Sequence, residues 1–161
     1  MHKAVFIFLA MFLSSCFDTS WTPEEREAFR AKCSQTYETE NEIFYFRGFG
    51  DDEFDSVWVK AYRESLLLDS FQLHVPPSIN QYDRERKIRS TAINRVLDIR
   101  NDYHILIPGQ KPYVLANMKM IMWAQYTMSG EGWGCVMGDY TIDGVRYEHD
   151  AMPTFQKRTT E

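Results

Sequence analysis

The feature that most constrains the fold is a series of short segments in which apolar and polar residues alternate. Residues 57–63 read VWVKAYR, and comparable stretches lie at 42–49, 71–75, 102–109 and 112–128. Alternation with a period of two is typical of strands that bury one face, because successive side chains point to opposite sides of a sheet. The sequence therefore predicts a mainly β domain, an antiparallel β-sandwich or barrel.

Turn signals separate these segments. Asp143-Gly144 lies between DYTI and VRYE and is the strongest hairpin signal in the chain, since Asp-Gly suits a two-residue type I′ turn. The stretch SGEGWG (129–134) predicts a mobile loop that presents Trp133, or a turn whose Trp133 packs back on the sheet. Residues 76–101 fit neither the strand period nor the helix period.

One helix is expected before the strands. Thr22 is a capping residue, Pro23 occupies the first helical position and Glu25 completes a capping box, so the helix is predicted to run to about Cys33. We expect one β-rich domain over residues 23–152, with this N-terminal α-helix laid against the sheet. Residues 153–161 are predicted to be a flexible tail.

The first residues have the order of a secretory signal. MHKAVFIFLAMFLSS begins with basic residues, continues with an apolar run from Ala4 to Leu13 that is too short to span a bilayer, and ends in small residues. The sequence Leu13-Ser14-Ser15-Cys16 resembles the lipobox of bacterial lipoproteins. That resemblance implies a signal peptide over 1–15, cleavage before Cys16, and a diacylglyceryl group on its thiol.

A lipid anchor at Cys16 would leave residues 16–22 as a short tether. In bacterial lipoproteins an Asp directly after the cysteine tends to retain the protein in the inner membrane. Phe17 stands there in this chain, which favours the outer membrane, facing the periplasm. Cleavage elsewhere, with Cys16 as a free or paired thiol, is the alternative.

The other two cysteines are expected to form a disulfide. In an oxidising periplasm Cys33 and Cys135 would most simply pair, and the bridge would connect the N-terminal segment to the last part of the fold. A nucleophilic cysteine is the competing interpretation, but no local signature supports it. The net charge of −5 argues against nucleic acid as a partner, and membrane attachment is expected through the acyl chains of Cys16.

Three clusters are candidate sites. Met118, Met120 and Met122 share one face of a predicted strand, where thioethers could hold Cu(I), although a buried core face has the same pattern. The acidic run DDEFD (51–55) could attract calcium but lacks the spacing of an EF-hand, so a solvated turn is favoured. The basic run RERKIR (84–89) is predicted to be an exposed, charged edge.

The function predicted from these features is a lipid-anchored, non-catalytic binding or accessory module of the cell envelope. No catalytic or dinucleotide-binding motif occurs in the chain, and no cofactor is predicted. Trp123 and Trp133 are candidate binding residues, since tryptophan is a favoured anchor at interfaces. The partner would be an envelope protein or a cell-wall component. A copper-binding protein that uses the methionine face and a small envelope hydrolase that uses His149 are the alternatives.

Overall fold

The computed structural model describes residues 21–127 and 130–159, and Cys16 with its leader lies outside them. The described chain forms two helices and eleven strands. They are α1 (Pro23–Ser34), β1 (Glu38–Thr39), β2 (Ile43–Arg47), β3 (Ser56–Arg63), β4 (Leu66–His74), α2 (Gln81–Glu85), β5 (Ile88–Ala92), β6 (Leu97–Asp98), β7 (Asp102–Leu106), β8 (Tyr113–Thr127), β9 (Gly130–Ile142), β10 (Val145–Tyr147) and β11 (Thr154–Gln156).

Two main sheets make a sandwich-like fold. The larger sheet has the antiparallel order β10-β9-β8-β7-β3-β4, and the smaller has the order β11-β2-β5, with β11 parallel to β2. A short β1-β6 pair stands beside them. The predicted mainly β, antiparallel class with one N-terminal helix is therefore confirmed.

An aromatic cluster joins the two sheets. Phe155 of β11 is fully buried and packs edge to face on Phe44 of β2, with ring centroids 5.2 Å apart. Across the layer it contacts Tyr113 of β8 at 5.7 Å, and the Tyr113 hydroxyl donates to the Gln156 carbonyl at 2.7 Å. The prediction of a flexible tail over 153–161 is therefore wrong at β11, because Phe155 completes the core.

Helix α1 begins as predicted. The Thr22 side chain accepts from the Glu25 N–H at 3.2 Å, and the Glu25 carboxylate accepts from the Thr22 N–H at 2.8 Å. The helix packs on β8, yet Cys33 is the one helical residue that is fully buried. Its other apolar contacts come from half-buried Phe29, whose ring lies 5.2 Å from that of Trp21.

The basic run 84–89 contains one arginine that is buried. Arg84 to Lys87 are exposed at the end of α2, but Arg89 on β5 is only 1% exposed. Its guanidinium donates to the carbonyls of Val75, Pro76 and Gly50 and lies 4.5 Å from the Phe54 ring centroid. The prediction fails at Arg89 because its acceptors come from loops distant in sequence.

The glycine-rich stretch is a strand where it is described. Residues from Gly130 onward belong to β9, which pairs with β8 up to Thr127, so the loop predicted over 129–134 is wrong for these residues. The glycines leave room for side chains of the neighbouring strand. A Cβ on Gly138 would lie 2.1 Å from Ile121 Cδ1, and one on Gly134 would lie 2.2 Å from Gln125 Nε2. The hairpin at Asp143-Gly144 is confirmed, with φ of 52° and 81°.

Substitution of Gly138 tests this close fit. We expect Gly138→Ala to lower the free energy of unfolding by about 1 to 3 kcal/mol, since Ile121 must leave its position. Ile121→Ala in the same background should recover part of that loss, which a double-mutant cycle in urea would measure. A coupling energy near zero would contradict the contact.

Glu42 is a buried carboxyl group that should make stability depend on pH. It is 8% exposed, and its carboxylate accepts from the Thr39 hydroxyl and from the Met137 N–H. Burial raises its pKa above 4.5, and the two hydrogen bonds oppose the shift only in part. Because the folded pKa is raised, the stability present at lower pH is lost as the pH rises through that pKa.

Glu42→Gln is therefore expected to be more stable than the wild type near pH 7, with the advantage vanishing near pH 4. The amide oxygen can still accept from the Thr39 hydroxyl, while no charge is buried. Urea denaturation across this pH range would measure the difference. Glu40→Gln, at an exposed position, serves as the control and should leave the pH profile unchanged.

Candidate binding face

The larger sheet has one face turned away from the smaller sheet, which we call the outer face. Along β3, Val57, Val59 and Ala61 are buried in the core, whereas Trp58 and Tyr62 point outward. The outer face also carries His104 and Leu106 of β7, which are the strand partners of Lys60 and Trp58, and Trp123 of β8. Large apolar side chains therefore remain accessible on this side of the sheet.

The most exposed tryptophan of the outer face lies in a shallow groove. Trp58 is 48% exposed, and the groove beside it has a volume of about 400 Å³. Its walls come from β3, the end of β7 and the β7–β8 connection; the lining residues are Ser56, Trp58, Leu106, Ile107, Pro108, Gln110 and Pro112. We call this the Trp58 groove. None of its lining side chains carries a charge.

A polar pocket adjoins the Trp58 groove at Ser56, which lines both. The pocket has a volume of about 270 Å³, and its other lining residues are Asp55, Gln72 and His74. Gln72 Nε2 donates to Ser56 Oγ at 2.6 Å, which fixes the amide orientation. The two cavities place an apolar wall and a set of hydrogen-bonding groups side by side.

The two tryptophans singled out from the sequence lie on opposite faces of the β8–β9 ribbon. Trp123, opposite Gly134, points outward and is 40% exposed. Trp133 is half-buried, and the Arg26 guanidinium of α1 lies 5.6 Å from its ring centroid. Trp123 is therefore the accessible member of the pair. Sequence reasoning missed Trp58, although its outward position in an alternating strand was a usable signal.

The three methionines lie on the inner side of β8. Met118 and Met120 are 5% and 6% exposed, and Met122 packs against the core. The β8–β9 pairing is irregular between Ala116 and Met120, where Asn117 adopts a φ of 53°. A cavity of about 460 Å³ beside this irregularity includes Met118 and Met120 in its wall. The thioethers thus contribute to packing rather than to an exposed ligand face.

The acidic run 51–55 forms the expected turn, and its carboxylates hold the turn in place. Asp51 accepts from the N–H and the hydroxyl of Ser78, each at 2.9 Å, and these bonds lower its pKa. Glu53 accepts from the Gly50 N–H at 2.8 Å and from Lys157 at 2.6 Å, which lowers its pKa as well. Within the described ranges, no group of three His, Cys, Asp or Glu is placed to hold a metal ion.

The disulfide is present as predicted. Cys33 of α1 and Cys135 of β9 are joined, with their Cα atoms 5.3 Å apart. The bond attaches the helix to the inner side of the β8–β9 ribbon, directly across the strand pair from Met122. His149, the proposed member of a hydrolase site, is exposed, and its backbone N–H donates to the Asp139 carboxylate.

Comparison with protein-family models, with curated proteins and with solved structures finds no match for this chain. Neither helix of the described residues is long and apolar enough to cross a membrane.

Proposed function

We propose that this protein is a lipid-anchored binding module of the bacterial cell envelope that contacts its partner through the outer face. The observation that carries the proposal is Trp58, a large aromatic side chain left half exposed beside an apolar groove. Exposed apolar patches on small proteins frequently mark interaction sites, and tryptophan contributes strongly to binding. The lipobox-like Leu13-Ser14-Ser15-Cys16 supports the anchor.

The direction of α1 supports this arrangement. Arg26 near the helix start contacts Trp133, close to the beginning of β9, while Cys33 bonds Cys135 further along that strand. The chain thus enters the domain near the free end of the β8–β9 ribbon. The Trp58 groove is built by residues 108–112, which precede β8 at its other end.

An anchor at Cys16 would therefore hold the domain by one end and leave the groove at the other. The chain from Cys16 to Thr22 spans at most about 20 Å when fully extended. In a domain held this close to a bilayer, a binding site on the side away from the bilayer is accessible to a partner. This placement favours a periplasmic partner over the membrane itself.

The anchor is tested by metabolic labelling with palmitate and by fractionation of cells that produce the full chain. We expect label and membrane association in the wild type and loss of both in Cys16→Ser. Tagged protein recovered from detergent-solubilised envelopes, with and without cross-linking, should retain an envelope component in an anchor-dependent manner. Unlabelled, soluble wild-type protein would contradict the anchor, and recovery of the bait alone would contradict the binding module.

A further inference from the structure

We propose that the Trp58 groove and the adjoining polar pocket bind a neutral oligosaccharide, with one pyranose ring stacked on the Trp58 indole. This inference rests on the proposed function for its location in the envelope. It goes further by naming the chemical class of the ligand, which the groove itself indicates.

The apolar wall matches one face of a sugar ring. A pyranose presents a patch of C–H groups on one face and hydroxyl groups around its edge. The exposed indole of Trp58 offers a flat surface, and Leu106, Pro108 and Pro112 add apolar side chains to the same groove. A volume of about 400 Å³ lies within the range of small-molecule sites, roughly 300 to 1,000 Å³.

The polar pocket matches the edge of the same ring. Ser56, Gln72, His74 and Asp55 together offer donors and acceptors beside the apolar wall. A few polar groups next to an apolar surface are the usual means by which a site fixes the orientation of its ligand. A wholly apolar ligand would form no hydrogen bonds with these groups, which opposes its binding.

The charges of the lining residues favour a neutral glycan over an acidic one. The Trp58 groove has no charged lining residue, and the polar pocket contains the carboxylate of Asp55. The chain as a whole carries a net charge of −5. An acidic polysaccharide would meet no counter-charge in the groove and a like charge in the pocket, so a neutral glycan, such as one of N-acetylated hexosamines, fits better.

The test is a titration of the full chain in detergent with the tetramer of β-1,4-linked N-acetylglucosamine, followed by tryptophan fluorescence and calorimetry. We expect saturable binding that Trp58→Ala weakens tenfold or more and Gln72→Ala weakens severalfold. Trp123→Ala is the matched control, since it removes a similarly exposed tryptophan from the same face, and it should leave the affinity unchanged within twofold. A hyaluronan tetramer, which carries carboxylates, should bind more weakly than the neutral tetramer.

Absence of binding by the wild type would overturn the proposal, as would equal losses in Trp58→Ala and Trp123→Ala. Preference for a proline-rich peptide over the tetramer would overturn it too, because aromatic grooves also accept such peptides. The tetramer could fail to bind while the protein still retains an envelope component in a Trp58-dependent manner. That result would contradict the proposed oligosaccharide ligand and would still support the proposed binding module. Circular dichroism of each variant shows that the fold is retained.

Discussion

Replacing both Cys33 and Cys135 with alanine is expected to lower the free energy of unfolding by about 4 to 5 kcal/mol. The bond connects residues 102 positions apart, so its removal releases a long loop in the unfolded chain. In the chain-entropy model a loop of this size accounts for most of that value. A loss of this size is a large fraction of the stability of a small domain.

The native state should change as well. Helix α1 buries Cys33 fully but otherwise contacts the ribbon through half-buried Arg26 and Phe29. Without the covalent bond, we expect these few contacts to hold the helix only weakly. We therefore expect α1 to detach from β8 before the sheets unfold, with Trp133 becoming accessible to water.

Urea denaturation of wild type, double variant and reduced wild type would measure the effect. The double variant and the reduced wild type should unfold at similar urea concentrations, both well below the oxidised protein. A red shift of the tryptophan emission in Cys33→Ala/Cys135→Ala that is absent from Cys33→Ala/Cys135→Ala/Trp133→Phe would report the exposure of Trp133. Equal midpoints for oxidised and reduced protein would contradict the role assigned to the bond.

Arg89→Ala is expected to lower the free energy of unfolding by about 3 to 5 kcal/mol, the second large effect. The substitution removes the Arg89 donors from the carbonyls of Val75, Pro76 and Gly50, and leaves a void beside Phe54. The Gly50 carbonyl keeps the Glu53 N–H as a donor, so the loss falls on Val75 and Pro76. Each buried acceptor left unpaired costs on the order of 1 to 3 kcal/mol. Arg89→Lys should recover little, because one ammonium group cannot reproduce the geometry of the guanidinium fork.

Arg95→Ala provides the matched control. Arg95 also lies over a phenylalanine ring, 4.3 Å from the centroid of Phe71, and pairs with Asp69 at 3.0 Å. Both partners of that ion pair are about half exposed, so the pair should contribute less than about 1 kcal/mol. Thermal unfolding midpoints that fall equally for the two alanine variants would contradict the buried role of Arg89.

Local signals in the sequence were sufficient for much of the fold. The capping box at Thr22 determines the start of α1, and Asp143-Gly144 determines a hairpin, because both depend on residues that are neighbours in the chain. Alternation in residues 57–63 identified a strand with a buried side. The disulfide could be predicted from the cysteine count, on the expectation of an oxidising compartment that the lipobox-like Leu13-Ser14-Ser15-Cys16 raises.

Features built from distant residues could not be predicted. Arg89 is buried because Gly50, 39 positions away, and the loop at 75–76 provide its acceptors. Phe155 completes the core because β11 returns to pair with β2. The glycines of β9 resembled a loop, yet in the sheet they make room for Ile121 and Gln125.

In the candidate site, too, some features depend on neighbouring residues and others on residues that are distant in the sequence. Alternation in residues 57–63 is a signal from which Trp58 could have been placed opposite Val57 and Val59, whereas the assignment of Trp123 and Trp133 to opposite faces requires the strand register. The Trp58 groove itself requires the β7–β8 connection to pack beside β3. The kind of ligand that the groove could bind therefore cannot be inferred until β3 and the β7–β8 connection are placed side by side.

Photo-cross-linking from position 108 of the full chain tests the central claim most directly. Pro108 is exposed and lines the Trp58 groove, so a benzophenone side chain placed there keeps Trp58 intact and reacts with C–H bonds of any bound protein or glycan. Ile43, 41% exposed on the smaller sheet, provides the control position. We predict adducts from position 108 in intact cells and none from position 43, with fewer adducts in Cys16→Ser, which removes the proposed attachment site. No adducts from position 108, or equal yields at the two positions, would contradict an outer face that binds.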